Sequence, residues 1–352
     1  MLQNTLLLTE VYVLYLLAPL FCRLTRRKGT YVRTSALDYL VRLFFSIDMD
    51  KPKQVISLGA GSDTRYFRLR SQYPELKIHY HELDFPANTR SKIAIIRRKP
   101  SPLDLLDQND DKLQWSSHES NHALRFSAEG DALYSPAGGY NIHPLDLRTL
   151  AAEDSVLPAL PGLDPKLPTI ILSEMCLCYL TPEETQAVMR SLTKSYLSSN
   201  TPVSIILYEP VRPFDAFGKV MVSNLASRQI TLPTLSAYPT LSSQKRRLKE
   251  ADFTSGQGAA DINRVWDRWI PPEEKIRVDR CEGLDEVEEW VMLAQHYCIA
   301  WGWRDGAEKG DASGDAEAMV FSRAWRGVIG EEVDDDLPGP AHGGLRNPFK
   351  DT

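Results

Sequence analysis

A glycine turn that follows an apolar run constrains the fold of this chain more than any other sequence feature. Residues 55–58 are apolar apart from one serine, and Gly59 and Gly61 follow as a Gly-x-Gly turn. Further along, Asp84 ends a second strand-like segment. Glycines let the backbone approach a ligand, and an acid after the second strand can accept hydrogen bonds from ribose hydroxyls. The pattern predicts a nucleotide-binding βαβ unit.

The turn departs from the dinucleotide-binding fingerprint in two ways. The third glycine is absent, and Ser62 and Asp63 stand where a phosphate requires free backbone amides. An acid at this place repels pyrophosphate, which favours a ligand without phosphate groups. S-adenosylmethionine (SAM), whose sulfonium and ammonium groups are cationic, is therefore the natural candidate.

Apolar runs of strand length alternate with helical patterns along the chain. This alternation predicts an α/β fold, a mostly parallel sheet with helices on both faces, in which ligands bind at the carboxyl ends of the strands. Thr181, Pro182 and Glu184 form a capping-box pattern that predicts a helix start. The predicted strands are residues 55–58, 77–83, 140–144, 167–179, 203–208 and, at a sheet edge, 319–324. The predicted helices are residues 35–47 with Ser35 as N-cap, a segment from Asp63, and residues 84–99 and 183–197, while residues 285–303 are predicted to be helical and then extended.

The composition excludes several classes of function. The chain has 352 residues and a formal net charge of −6, so we expect no nucleic-acid partner. The apolar segment at residues 11–21 is too short to span a bilayer and precedes its basic residues, so we expect no membrane anchor. Cys176 and Cys178 lie in an apolar run and are interpreted as buried thiols, so no metal site is predicted. Reduced thiols predict a cytoplasmic protein, and we expect a monomer.

Six sequence blocks, taken together, are more specific than the glycine turn alone. They are residues 29–34 (Gly-Thr-Tyr-Val-Arg-Thr), 58–65 (Leu-Gly-Ala-Gly-Ser-Asp-Thr-Arg), 82–86 (Glu-Leu-Asp-Phe-Pro), 146–148 (Asp-Leu-Arg), 172–180 (Leu-Ser-Glu-Met-Cys-Leu-Cys-Tyr-Leu) and 288–301, which contains His-Tyr-Cys. In this order the blocks resemble those of the leucine carboxyl methyltransferase family, of fungal type. The first residues, 1–15, do not match the family's N-terminal lid, and we interpret them as the product of an alternative or misassigned exon.

The resemblance implies a fold, an activity and a partner. The implied fold is a class I SAM-dependent methyltransferase, Rossmann-like, with a helical lid and an insertion. The implied reaction transfers the methyl group of SAM to the C-terminal leucine α-carboxylate of protein phosphatase 2A catalytic subunits, whose tail and active-site face are the expected partner surface. We accordingly predict a lid segment at residues 1–34, a methyltransferase domain at 35–325 with a helical insertion at about 210–275, and an acidic, glycine-rich tail at 326–352.

The resemblance also assigns site residues. The implied SAM-binding residues are Arg33, Gly59, Gly61, Asp84, Asp146, Leu147 and Glu174, and the implied catalytic residues are Arg33 and Tyr179. Asp84 is expected to accept both ribose hydroxyls, Asp146 the adenine amino group, and Glu174 the ligand ammonium. Arg33 is expected to bridge the SAM carboxylate and the substrate terminus, since a guanidinium binds carboxylates bidentately. Tyr179 is expected to bond the substrate carboxylate.

The reaction requires little further chemistry from the protein. A C-terminal carboxylate has a pKa of about 3.3–3.7 and is an anionic nucleophile at neutral pH. No general base is needed, in keeping with the absence of an obvious His/Asp pair from the sequence. Alignment of the reacting groups and removal of water are expected to supply the catalysis.

Other interpretations of single residues remain open at this point. Asp84 and Asp146 are each compatible with a helix N-cap, Arg33 with a surface ion pair, and His296 with a packed core histidine. Two other functions are also compatible with the sequence. One is a small-molecule carboxylate O-methyltransferase of the same superfamily, and the other is a non-catalytic protein that binds the phosphatase tail.

Overall fold

A computed structural model describes residues 21–98, 125–135, 139–151, 156–282, 287–306, 319–325 and 327–328, with the backbone alone at residues 21–27 and 281–282. The strands are β1 (Lys53–Leu58), β2 (Ile78–Asp84), β3 (Arg125–Phe126), β4 (Leu133–Tyr134), β5 (Tyr140–Pro144), β6 (Thr169–Glu174), β7 (Val203–Pro210), β8 (Gly256–Asp261) and β9 (Tyr297–Arg304). The helices are α1 (Phe21–Ser46), α2 (Arg65–Gln72), α3 (Pro86–Arg98), α4 (Pro182–Ser191), α5 (Ala216–Ala226), α6 (Pro233–Ala237), α7 (Leu241–Glu250), α8 (Ile262–Trp269), α9 (Pro272–Glu282), α10 (Val287–Gln295) and α11 (Val320–Trp325). Short 3₁₀ turns cover Leu147–Leu150 and Leu177–Tyr179, and a π-helical turn covers Leu192–Tyr196.

The strands form one mixed sheet in the order β3-β4-β5-β2-β1-β6-β7-β9-β8. Strands β5, β2, β1, β6 and β7 are parallel, and β9 runs antiparallel to both of its neighbours. This order, with β9 reversed between β7 and β8, is that of the class I methyltransferase fold, so the predicted fold class is confirmed. Strand β1 lies between β2 and β6, so the chain adds strands on one side of β1 first and on its other side later. Ligands in such sheets bind where the strand order reverses, at the carboxyl end of β1.

Two apolar cores cover the two faces of the sheet. Alternate residues of the fully buried strand β1 divide between them, so that Val55 joins one core and Ile56 and Leu58 join the other. The first core also contains the apolar stripe of α1, and the second contains residues of α4 and α7. A strand that is buried on both faces has a continuous apolar sequence, which is why β1 was recognisable.

Helix α1 begins well before the predicted start. Ser35 lies inside the helix and not at its N-cap, so this prediction is wrong. The reason is the apolar stripe, which continues one turn upstream of Ser35 because Val32 is buried in line with Ala36 and Leu40. The predicted domain boundary between residues 34 and 35 therefore falls within one continuous helix.

Two predictions at the sheet edge are wrong. Residues 256–261, placed in a helical insertion, form edge strand β8. Glycines are uncommon in strands, so no pattern in the sequence indicated β8. The strand nevertheless needs them, because a Cβ on Gly256 would lie 2.1 Å from the ring of Trp303 and one on Gly258 would lie 2.2 Å from the ring of Trp301. Conversely, the predicted edge strand at residues 319–324 is helix α11, whose Phe321 and Trp325 pack against each other in the core with their rings tilted by 47°.

The remaining element predictions agree with the structure in position. The capping box is present, with Thr181 accepting from the Glu184 backbone and the Glu184 side chain accepting from the Thr181 amide. The strand predicted at residues 167–179 ends at Glu174, because Met175 has a φ of 49° and turns the chain. The unmatched segment 1–15, the rest of the predicted lid up to residue 20 and most of the predicted tail lie outside the described residues. Among the helices that are described, none has the length and apolarity needed to cross a bilayer.

Candidate active site

The glycine turn lies at the carboxyl end of β1 and adopts a backbone that favours glycine at two positions. Gly59 and Gly61 have φ angles of 59° and 48°. A Cβ on Gly59 would lie 2.5 Å from Cys176 Sγ, in the loop after β6. The Gly61 amide donates a 2.7 Å hydrogen bond to Asp84 Oδ2, at the end of β2. Three strand ends therefore meet at this turn, as the sequence predicted.

Asp84 has the contacts of a helix-capping acid and keeps an acceptor site for a further donor. Its Oδ1 accepts from the Phe85 amide and from Asn88 Nδ2, both at 2.7 Å, so it binds the start of α3 as a helix-capping acid does. Its Oδ2 accepts from Gly61 and keeps one lone pair for a further donor. Asp84 is buried. The geometry leaves room for one ribose hydroxyl at Oδ2 more readily than for two hydroxyls shared between both oxygens.

Asp146 follows β5 and lies beside the end of β2, since the Leu145 amide bonds to the Asp84 carbonyl at 2.7 Å. It is the N-cap of the 3₁₀ turn and accepts from the Arg148 amide at 3.0 Å. The Arg148 side chain bonds both of its oxygens, which lowers the pKa of Asp146. Leu147 is buried next to it. Capping and ligand binding are both open to Asp146, with its carboxylate ionised in either case.

Glu174 ends β6 and lies between two arginines. Arg65 Nη2 donates a 2.8 Å hydrogen bond to its Oε1, and Arg33 Nε lies 3.2 Å from its Oε2. The Arg33 contact is an ion pair without hydrogen-bond geometry, and Arg33 Nε is a buried donor with no hydrogen-bond acceptor among the described residues. The guanidinium of Arg33 lies over the ring of Tyr208, 5.2 Å from its centroid. The structure thus brings the predicted cation and anion together at the carboxyl edge of the sheet.

Arg65 and Asp63 correct one step of the sequence argument. The Asp63 carboxylate, which was expected to repel a phosphate, accepts from Arg65 Nη1 at 2.7 Å and from the Arg65 amide at 2.9 Å. Its charge is therefore compensated within the protein, and it gives no argument against a phosphate-bearing ligand. Arg65 was part of the quoted block at residues 58–65 but received no role, because its partners lie up to 109 residues away.

Tyr179 lies in the 3₁₀ turn after Glu174, within electrostatic reach of Tyr297. Burial, with the neighbouring Cys178 and Tyr297 hydroxyl contributing, raises the pKa of Tyr179 well above its usual range. Tyr297 stacks on Tyr208 with ring centroids 5.6 Å apart, and Tyr208 lies beneath Arg33. Tyr179 is therefore a neutral hydroxyl at physiological pH, able to donate a hydrogen bond to a carboxylate.

The structure contains a His/Asp pair that the sequence did not reveal. His296 Nε2 lies 2.9 Å from Asp215 Oδ1, and His296 Nδ1 lies 2.7 Å from the Met292 carbonyl oxygen. The Val211 amide bonds to the His296 carbonyl, which places the pair close to the end of β7. Both ring nitrogens of His296 thus contact acceptor atoms of the protein, one at the end of α10 and one at the start of α5.

Asp84, the Arg33–Glu174 pair and the glycine turn are groups that fit SAM, the predicted ligand. The Cβ position of Gly61 is open, with the Gly59 carbonyl oxygen at 3.9 Å as its nearest contact, and Arg33 Nε is a buried donor suited to a carboxylate. Within the described part of the chain, no group of histidine, cysteine and acidic side chains is arranged to hold a metal ion.

The sequence and the structure of this chain were compared with those of known proteins, and the sequence matches one family. The sequence model of the leucine carboxyl methyltransferase family matches residues 23–193. The chain is 46% identical to leucine carboxyl methyltransferase 1 of Aspergillus fumigatus over 327 residues, covering 87% of this chain and 77% of that protein. It is also 46% identical to leucine carboxyl methyltransferase 1 of Emericella nidulans over 311 residues, covering 83% of this chain and 78% of that protein. Among solved structures, an O-methyltransferase family protein from Burkholderia thailandensis aligns with a TM-score of 0.40 and 12% identity over 81% of this chain and 57% of that chain, a level at which neither activity nor site geometry transfers.

Proposed function

The chain belongs to the leucine carboxyl methyltransferase family and is a methyltransferase, and from this premise we propose that its substrate is the C-terminal leucine α-carboxylate of protein phosphatase 2A catalytic subunits. The methyl donor is SAM, and the product is a methyl ester. The observation that carries the proposal is the position of Arg33. Its buried Nε, without an acceptor among the described residues, lies beside Glu174 at the edge of the sheet where ligands bind.

The charged groups of the site match the methionine part of SAM. Glu174 is suited to the ammonium and Arg33 to the carboxylate, since each already pairs with a group of the opposite charge. Gly59 and Gly61 form the cradle, Asp84 accepts from the ribose, and Asp146 and Leu147 border the base. These assignments follow the family pattern and the positions described above.

When bound, SAM would supply an electrophilic methyl group on a sulfonium, which the substrate carboxylate would take while the electron pair of the carbon–sulfur bond stays on sulfur. The positive and negative charges cancel in the products, so removal of water from the site favours the reaction. Arg33 and Tyr179 hold the carboxylate in line with the methyl group, and alignment of this kind is worth about 7–11 kcal/mol.

No proton is transferred in this reaction, so it requires no histidine base. Both nitrogens of the His296 ring are already in contact with protein atoms, the Met292 carbonyl oxygen and the Asp215 carboxylate. It holds the N-cap residue of α5 in place, because Asp215 also accepts from the Gly218 amide. We therefore assign it a structural role.

The expected partner and compartment follow from the same proposal. The partner is the phosphatase catalytic subunit, which offers its tail and its active-site face. Cys176, Cys178 and Cys298 are free thiols, which supports a cytoplasmic location.

Incubation with labelled SAM tests the proposal. We expect label on an intact phosphatase 2A catalytic subunit, released by mild base as an ester, and no label when the terminal leucine is deleted. A subunit whose terminal leucine is amidated serves as a control that keeps the side chain. Label on small carboxylic acids alone, or label that survives the deletion, would overturn the proposal.

A further inference from the structure

Arg65 joins three carboxylates that belong to three different elements. Its Nε donates to Asp38 in α1 at 2.8 Å, its Nη1 donates to Asp63 in the glycine turn at 2.7 Å, and its Nη2 donates to Glu174 at 2.8 Å. Every nitrogen of the guanidinium is thus used. The three acceptors lie on the helix that carries Arg33, on the cofactor turn and at the end of β6.

Because Arg65 is buried, water cannot take over its hydrogen bonds to the three carboxylates. Its side chain is 3% exposed. Burial alone would lower the pKa of Arg65, but Asp63 and Glu174 raise it well above the ordinary value. Arg68, in contrast, pairs only with Asp38 in this cluster and is 44% exposed. Glu174 is 21% exposed, and a largely buried carboxylate that loses its cation is costly, so Arg65, as the more buried of its two arginines, has the larger influence on it.

The two arginines that contact Glu174 differ in exposure and in hydrogen-bond geometry. The Arg33 side chain is 29% exposed and its ion pair with Glu174 lacks hydrogen-bond geometry, whereas the Arg65 side chain is 3% exposed and donates a 2.8 Å hydrogen bond to Glu174. A ligand with both an ammonium and a carboxylate would take Arg33 for its carboxylate and Glu174 for its ammonium. Glu174 would then lose one cation and retain the other.

We propose that Arg65 is a positioning residue: it holds the Glu174 carboxylate, through the Asp38–Arg65–Asp63 cluster, in the orientation that binds the ligand ammonium once Arg33 turns to the ligand carboxylate. The proposal rests on the proposed function in one respect, that the ligand is SAM. It assigns Arg65 no contact with the ligand. Its effect is therefore confined to the ammonium contact.

A pair of ligands isolates that contact. S-adenosylhomocysteine carries the ammonium, and its des-amino analogue keeps the carboxylate, the ribose and the base but has no ammonium. The affinities of both ligands, measured by calorimetry, are compared for wild type, Arg65→Met, Arg65→Lys and Glu174→Gln. Arg68→Met is the matched control, because it removes a second cation from Asp38 without touching Glu174.

For Arg65→Met we expect an affinity for S-adenosylhomocysteine about ten-fold lower or more, since a charge-assisted contact is lost, and an affinity for the des-amino analogue changed by less than about two-fold. Glu174→Gln is expected to show the same selectivity, and the double variant Arg65→Met/Glu174→Gln no further loss. Arg65→Lys keeps the charge without the planar fork and should lie between wild type and Arg65→Met. Arg68→Met should leave both affinities unchanged.

Equal losses for the two ligands would overturn the proposal, because a merely structural role of Arg65 does not depend on the ammonium. If Arg65→Met does not fold, as judged by thermal unfolding, the selectivity of Arg65→Lys decides in the same way. A wild-type chain that binds neither ligand would refute the SAM assignment in the proposed function. A wild-type chain that binds both ligands but does not label the phosphatase would refute only the proposed substrate and leave the role of Arg65 standing.

Discussion

Arg33 Nε lies 3.2 Å from Glu174 Oε2, although 141 positions separate the two residues in the sequence. Arg33 is carried by α1, which packs on one face of the sheet through Val32 and Ala36, and Glu174 ends a central strand. The distance between the two residues therefore depends on how α1 packs against the sheet. Arg33 Nε is a buried donor without a hydrogen-bond acceptor among the described residues, which supports the carboxylate-binding role that the proposed function gives to Arg33.

Substitution of Arg33 by lysine tests this interpretation. Arg33→Lys keeps the charge but loses the planar fork, so we expect kcat/KM for methyl transfer to fall roughly 100-fold because the carboxylate is no longer aligned. Arg277→Lys is the control, since it makes the same substitution at an exposed arginine whose two hydrogen bonds go to the carboxylate of Glu274. A wild-type rate for Arg33→Lys would show that no bidentate contact at this position limits the reaction.

Gly59 is expected to tolerate no side chain. Gly59→Ala places a Cβ 2.5 Å from Cys176 Sγ at a φ of 59°, so the loop after β6 must move. We expect weaker binding of S-adenosylhomocysteine, by roughly ten-fold or more, together with a lower melting temperature. Gly130→Ala separates the two causes, because Gly130 has a φ of 67° but no atom within 4 Å of the added Cβ. An equal loss of affinity in both variants would mean that the clash is not responsible.

Local signals account for the parts of the fold that were predictable. The run at residues 55–58, the turn at Gly59 and the capping box at Thr181 each carry their information within a few positions, and each forms the expected element. The end of β2 at Asp84 was likewise placed correctly. A strand buried on both faces or a capped helix start needs no knowledge of distant residues.

Distant contacts account for what could not be predicted. The small residues of β8 carry no strand signal of their own, and the strand forms because Trp301 and Trp303 lie over its glycines. The role of Arg65 depends on Glu174, and the pairing of His296 depends on Asp215, 81 positions away. Pairings of this kind are set by the register of the sheet, which no local pattern in the sequence reports.

Glu209 and Arg247 form a buried ion pair whose loss should destabilise the fold. Arg247 Nη1 lies 2.6 Å from Glu209 Oε2, and both side chains are fully buried. Glu209→Gln leaves the Arg247 charge uncompensated, so we expect the free energy of unfolding to fall by about 3–5 kcal/mol.

Urea unfolding measures this loss, and the neighbouring arginine supplies the control. Arg246 pairs with Glu250 at 3.9 Å on the exposed side of α7, so Glu250→Gln should change the free energy of unfolding by less than about 0.5 kcal/mol. Similar stabilities for Glu209→Gln and Glu250→Gln would contradict the prediction, because they would mean that burial adds nothing to the cost of breaking the pair.

Glu82, two residues before Asp84, should make the stability depend on pH in an unusual direction. Burial raises the pKa of Glu82 from 4.5 to about 7, against the opposing effect of Lys92, its ion-pair partner. The folded chain then holds this proton more tightly than the unfolded chain. The contribution to stability is full below pH 4.5 and is lost as the pH rises to 7, by up to ~3 kcal/mol.

Glu82→Gln isolates this contribution from that of the buried histidines, which act in the opposite direction. Burial lowers the pKa values of His81 and His143, so their contribution grows as the pH rises towards 6.5. The measured quantity is therefore the free energy of unfolding of wild type minus that of Glu82→Gln, by urea titration at several pH values. We expect this difference to decrease between pH 4.5 and 7. A difference that is constant or rises with pH would show that Lys92 keeps Glu82 ionised in the folded chain throughout this range.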